Sequence, residues 1–130
     1  KIESAKNVVV WGTGTPLREF LHVDDMASAC VHVMQLERSK LELEIQAMNS
    51  HINVGAGVDC TISELSSIMA KVVGYSGEII FDTSKPDGTP RKVLNVSRLQ
   101  RLGWASSITL EKGLTNTYKW YLANIEKIRI

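Results

Sequence analysis

The chain has 130 residues and a mass of 14.4 kDa, the length of one domain, with enough sequence to bury a core but little for a two-domain enzyme. It is 44% hydrophobic and 22% charged, and 15 Lys+Arg against 14 Asp+Glu leave a formal net charge of +1. That balance excludes broad electrostatic binding to nucleic acid or an anionic membrane. No apolar run approaches the roughly 20 residues of a bilayer span.

In chain order, the opening "KIESAKNVVVW" carries neither an initiator methionine nor a signal-peptide pattern. It reads as a helix C-terminus feeding a strand, as in a piece cut from something longer. Val8, Val9, Val10 and Trp11 form that strand, a β-branched and aromatic run closed by Gly12 and Gly14. Pro16 keeps the following chain extended. A helix is predicted from Asp24 or Asp25, capped by their carboxylates, with Met26, Ala29, Cys30, Val33 and Met34 at helical spacing as far as Leu36. "ERSKLELEIQAMNS" is charged and weakly patterned, mostly loop with some helical extension.

"HINVG" (51–55) is predicted as a second strand, and "TISE" (61–64) as a capping box opening a helix that carries Ile62, Leu65, Ile68, Met69 and Val72 and stops at Gly74. "GEIIFD" (77–82) is a third strand. "TSKPDGTPRK" is too polar and too broken for a regular element. A short helix runs from about Ser97 to Gly103, and Thr109 caps a last helix bearing Leu110, Leu114, Tyr118, Tyr121 and Leu122. Strands alternating with helices indicate an α/β fold.

Two Gly-x-Gly turns follow strands, yet the third glycine of a dinucleotide fingerprint would fall at Leu17 in one and Cys60 in the other, so both read as tight turns. The Tyr and Lys four apart that a short-chain reductase uses for proton transfer are missing: the residues four after Tyr75, Tyr118 and Tyr121 are Ile79, Leu122 and Ile125. His22, His32 and His51 share no metal-ligand spacing, and packing or hydrogen bonding is expected of each. Cys30 and Cys60, without CxxC spacing, are read as reduced and buried in a cytoplasmic protein.

What remains is a binding constellation. Arg18 offers a planar fork suited to a diphosphate, Trp11 a ring that packs on a sugar or base, and Asp87 an acceptor pair for ribose or sugar hydroxyls. Lys92 and Arg91 add positive charge. Spacing alone leaves ordinary structural roles open: a surface salt bridge for Arg18, a core position for Trp11, a turn for Asp87.

The stretches "WGTGTPLREFLHVDDMA", "SHINVGAGVDCTISEL" and "FDTSKPDGTPRK" together resemble the GDP-L-fucose synthases, epimerase-reductases of the extended short-chain dehydrogenase/reductase superfamily. "RxFLHVDDxA" recurs among nucleotide-sugar epimerases and dehydratases, and "KPDGTPRK" with "GTGTPxREF" narrows the likeness. The resemblance runs from about Val8 to Leu122 and implies that residues 1–130 are the small carboxy-terminal substrate-binding domain of a longer two-domain enzyme.

In that family the glycine-rich NADP loop, the Ser-Tyr-Lys set and the proton-handling Cys and His sit on a Rossmann domain with no counterpart here. The likeness therefore implies no catalytic, cofactor-binding or metal-binding residue on this chain. It implies that Arg18 binds the GDP-sugar pyrophosphate, that Trp11 and Asp87 contact the nucleotide-sugar, and that Lys92 is a further phosphate contact. The implied reaction converts GDP-4-keto-6-deoxy-D-mannose to GDP-L-fucose by 3,5-epimerisation and NADPH-dependent 4-reduction, in a homodimeric cytoplasmic enzyme. A stand-alone nucleotide-sugar-binding module, or the equivalent part of an enzyme acting on UDP-sugars, are the alternatives. Asn95, where many relatives have Asp, is an equally good helix cap.

Overall fold

Valine-rich β1 (Asn7–Trp11) finds its partner far along the chain, in β4 (Glu78–Asp82). The two strands run parallel, with Val8 opposite Ile79, Val9 opposite Ile80 and Val10 opposite Phe81. Gly12 N–H extends the ladder to the Asp82 carbonyl at 2.9 Å. The computed structural model describes residues 5–128, so the helix end expected ahead of β1, over residues 1–4, lies outside the described residues.

A parallel pair needs a crossover, and this one includes a helix, Ile62–Val73, numbered α3 below in chain order. The capping box forms as the sequence predicts: the Thr61 hydroxyl accepts Glu64 N–H at 3.0 Å, and the Glu64 carboxylate accepts Thr61 N–H at 2.8 Å. Gly74, at φ 65°, terminates the helix in the left-handed region where glycine carries no Cβ penalty. Leu65, Met69 and Val73 face Val8, Val10 and Ile79 across an apolar groove of about 270 Å³.

The chain folds as two compact units, where length alone suggests one. The first comprises residues 1–18, 60–91 and 109–130 and holds the parallel pair, α3 and the C-terminal helix α5 (Leu110–Asn124). Thr109 caps α5 as predicted, and Lys71 of α3 pairs with Glu111 of α5 at 2.7 Å.

The second unit comprises residues 19–59 and 92–108. Its helices are α1 (Val23–Gln35), a five-residue α2 (Arg38–Glu42) and α4 (Ser97–Arg101). Ala29 of α1, Leu99 of α4 and Trp104 form its buried centre, with Leu21, Val33, Ile52 and Val54 packed against them. Asn95 is not the cap of α4 expected from the sequence: Val96 holds that position without a side-chain cap bond, and Asn95, one residue earlier, accepts Ser97 N–H through Oδ1 at 3.1 Å. His32 hydrogen-bonds the Leu102 carbonyl at 2.8 Å, the non-metal role expected of it.

Three short strands escape the sequence reading: β2 (Leu17–Glu19), β3 (Asp59–Thr61) and β5 (Arg91–Lys92), in the order β3-β2-β5. They are the segments in which the chain passes from one unit to the other. β5 shows that "TSKPDGTPRK" is not wholly irregular; Leu17 N–H reaches the Pro90 carbonyl at 2.8 Å and draws that end into a ladder.

Three further expectations are corrected. "HINVG" is extended but has no strand partner among the described residues. The cap of α1 is His22, whose Nδ1 accepts Asp24 N–H at 3.2 Å, rather than either aspartate. Asp25 is instead 3% exposed and turns away from its own helix start. Its carboxylate accepts the N–H groups of Ser107 and Ile108 at 3.1 and 2.9 Å and the Ser107 hydroxyl at 3.0 Å. Burial alone would raise its pKa, but the Ile108 and Ser107 donors, helped by His22, hold it below the ordinary carboxylate value. Finally, neither cysteine forms a disulfide, but Cys30 is exposed and Cys60 half-buried, so neither is the buried residue expected; Cys30 lies about a third of a turn round α1 from buried Ala29.

Candidate nucleotide-sugar site

Two loops of the first unit meet at the end of the parallel pair. One runs from Trp11 through the Gly12 and Gly14 turn to Arg18; the other is the irregular segment 86–89, which follows β4 and the turn at 83–84, so Asp87 is not the turn residue the sequence reading left open. Gly12 and Gly14 adopt φ 87° and 77°, conformations that L-residues seldom take. A Cβ on Gly12 would collide with the Asp87 carboxylate, and one on Gly14 would lie 2.5 Å from the Phe81 ring. Both glycines are thus turn residues that also permit close approach, as the sequence reading holds.

Asp87 joins the loops. Its Oδ1 accepts Thr13 N–H at 2.8 Å and its Oδ2 accepts the Thr13 hydroxyl at 2.7 Å, while Thr13 Oγ1 also lies 2.7 Å from Thr15 Oγ1. The Thr13 hydroxyl and then its N–H lower the Asp87 pKa, partial desolvation acting the other way. Both oxygens therefore already hold a donor, and each retains a second acceptor direction.

Arg18 is half-buried at the end of the first loop. Its Nη1 donates to the carbonyls of Leu17 at 2.7 Å and Thr89 at 2.6 Å. No carboxylate pairs with it among the described residues, so the guanidinium is fixed by neutral acceptors and keeps its charge and its other N–H groups available. Gly88 leaves room for it: a Cβ there would stand 3.0 Å from Nη2.

Trp11 is 73% exposed, so it is not a core residue. Its ring instead carries the Lys85 ammonium 5.6 Å from the centroid. The structure thus brings Trp11, Arg18 and Asp87 together around the two loops. Lys92, exposed on β5, belongs to the second unit.

Sequence reasoning missed Thr13, Thr15, Lys85, Gly88 and Thr89. The threonines that alternate with glycine in "GTGT" were the available signal, since small hydroxyl residues in a turn latch onto acidic partners. The bond itself spans 74 positions and has no local signature.

Residues 1–55 match the model of the NAD dependent epimerase/dehydratase family. A GDP-L-fucose synthase of Escherichia coli is 60% identical over 98% of this chain, and the chain spans 40% of that relative. A GDP-6-OMe-4-keto-L-xylo-heptose reductase of Campylobacter jejuni superposes with a TM-score of 0.82 at 38% identity, covering 92% of this chain and 34% of the other. A GDP-L-fucose synthetase of Naegleria fowleri, solved with NADP bound, gives a TM-score of 0.80 at 25% identity over 95% of this chain and 37% of the other. The chain thus covers about two fifths or less of the length of these relatives. Over nearly all of its residues the chain is similar in sequence and fold to GDP-L-fucose synthases, and over residues 1–55 to the NAD dependent epimerase/dehydratase family.

Proposed function

We propose that this chain is the nucleotide-sugar-binding part of a longer GDP-L-fucose synthase, and that it grips the GDP end of GDP-4-keto-6-deoxy-D-mannose. The observation that carries the reading is Arg18, a guanidinium fixed on two carbonyls with no carboxylate partner beside the exposed Trp11 loop. A diphosphate fits the fork that remains. Trp11 stacks on a ring of the ligand, and Asp87 takes a hydroxyl with its spare acceptor directions.

NADPH, held by the part of the enzyme outside this chain, supplies hydride to the C4 ketone after epimerisation at C3 and C5. The residues here contribute proximity: a sugar whose diphosphate is anchored has lost most of its freedom before chemistry begins. Among the described residues no helix is long and apolar enough to cross a membrane. The family resemblance supports reading the longer enzyme as a cytoplasmic homodimer of sugar-nucleotide metabolism.

The test is NADPH oxidation by the longer protein carrying this chain, with the keto sugar as substrate and product identified by chromatography. Formation of GDP-L-fucose is expected, with none from the 130-residue chain alone. Turnover by the isolated chain, or a longer protein that prefers a UDP-sugar, would contradict the proposal.

A further inference from the structure

Lys85 is a charge that the bonds around the two loops leave unexplained. Its ammonium lies 5.6 Å from the centre of the Trp11 ring and pairs with no carboxylate among the described residues. An exposed lysine ordinarily keeps its head in water, and the weak attraction of an indole face orders so long a side chain only where the backbone beneath it is already fixed.

That backbone is fixed by the parallel pair. Trp11 stands opposite Asp82 in the register of β1 and β4, and Gly12 N–H continues the ladder to the Asp82 carbonyl. The same carbonyl accepts Lys85 N–H at 3.2 Å, while Asp82 Oδ1 accepts Ser84 N–H at 3.0 Å, closing a tight turn on the end of β4. Further along, Asp87 is fastened to Thr13 by both carboxylate oxygens. Segment 82–87 is therefore tied to residues 11–13 at both of its ends, and Pro86 keeps the backbone of Lys85 extended. Lys85 lies between the two ties, over Trp11.

The contact does not use up the indole. Trp11 remains 73% exposed with Lys85 against it, so ring surface is left open to a flat ligand. An exposed side chain that turns freely loses that freedom when a ligand lands on it, which weakens binding; one already held loses less.

We propose that Lys85 is a positioning residue for the nucleotide-sugar: its ammonium, on one face of Trp11, holds the indole in place so that a ring of the ligand stacks on the other. This rests on the proposed stacking of the ligand on Trp11. The effect falls on capture of the ligand, because the groups that move hydride and protons belong to the part of the enzyme outside this chain.

The test is calorimetric titration of GDP-L-fucose into the longer enzyme as wild type, Lys85→Met, Lys85→Arg, Trp11→Ala and the Lys85→Met, Trp11→Ala double variant, with steady-state kinetics on the keto sugar. Lys85→Met keeps an apolar stem over the ring without the charge. It should weaken binding about two- to fivefold and raise KM by the same factor at unchanged kcat. Lys85→Arg restores a cation over the ring and should recover the affinity. In the Trp11→Ala background, Lys85→Met should add no further loss, since the ring it positions is gone. Fluorine NMR of 5-fluorotryptophan-labelled enzyme, with the Trp11 resonance assigned from Trp11→Phe, reads the pairing before ligand is added. That resonance should move in Lys85→Met and return in Lys85→Arg.

Wild-type affinity in Lys85→Met, alongside weakened binding in Trp11→Ala, would overturn the proposal and leave the stacking standing. So would a loss from Lys85→Met that persists undiminished in the Trp11→Ala background, which would make Lys85 a direct contact of the ligand, or a Trp11 resonance indifferent to Lys85→Met. Wild-type affinity in Trp11→Ala would remove the stacking itself and the proposal with it.

Discussion

Asp87 holds Thr13 with both carboxylate oxygens, one on the backbone N–H at 2.8 Å and one on the hydroxyl at 2.7 Å, and so ties the irregular segment after β4 to the loop after β1. Replacing Asp87 with Ala should free the Thr13 amide, and its hydrogen exchange, followed by NMR, should accelerate at least tenfold while amides of α3 change little. The latch also has a defined pH response. Its carboxylate titrates below the ordinary value of 3.8, so its contribution is complete above that pH and disappears as pH falls through the lower folded value. The Thr13 amide shift should be flat from neutral pH down to about 4 and titrate below. An inflection near neutrality would show that another group controls the loop.

Gly14 is the turn position least open to change. At φ 77°, with the Phe81 ring where a Cβ would go, Gly14→Ala combines backbone strain with overpacking. A loss of about 2–3 kcal/mol of stability is expected, measured as a shift in the urea midpoint. A shift too small to resolve would mean that the loop relaxes without strain.

How much of this was legible beforehand follows from the range of each interaction. β1, β4, α3 and the start of α5 announce themselves within a few residues, through a valine run, a Thr61–Glu64 box, a glycine at Gly74 and a threonine at Thr109. His22 as a cap was hidden, because capping by imidazole Nδ1 lies outside the usual Ser, Thr, Asp and Asn preference. "HINVG" has the composition of a strand, but a strand also needs a neighbour, and none is present among the described residues. Of the site, Trp11, Arg18 and Asp87 could be named from residue type and family resemblance. The Thr13 latch and the Thr89 carbonyl under Arg18 could not, since they join positions more than 70 residues apart.

Asp25 is another long-range hinge of the fold that sequence misread as a local cap. Asp25→Ala would leave the Ser107 and Ile108 N–H groups without their acceptor, a loss on the order of 3 kcal/mol, read by circular dichroism in urea. Its lowered folded pKa means that its stabilising contribution is present above pH 3.8 and fades as pH falls through the folded value. The wild-type chain should therefore lose stability below that pH more steeply than Asp25→Asn, which cannot titrate. Equal acid sensitivity of the two would place the effect on other carboxylates.

The central claim is that Arg18 holds the diphosphate of a GDP-sugar, and calorimetric titration of GDP into the longer enzyme, with and without Arg18→Ala, tests it most directly. Loss of a charge-assisted contact should weaken GDP binding by about 1.5–3 kcal/mol, with NADPH affinity retained. GDP affinity that is unchanged in a folded Arg18→Ala enzyme would contradict the account and remove Arg18 from the site.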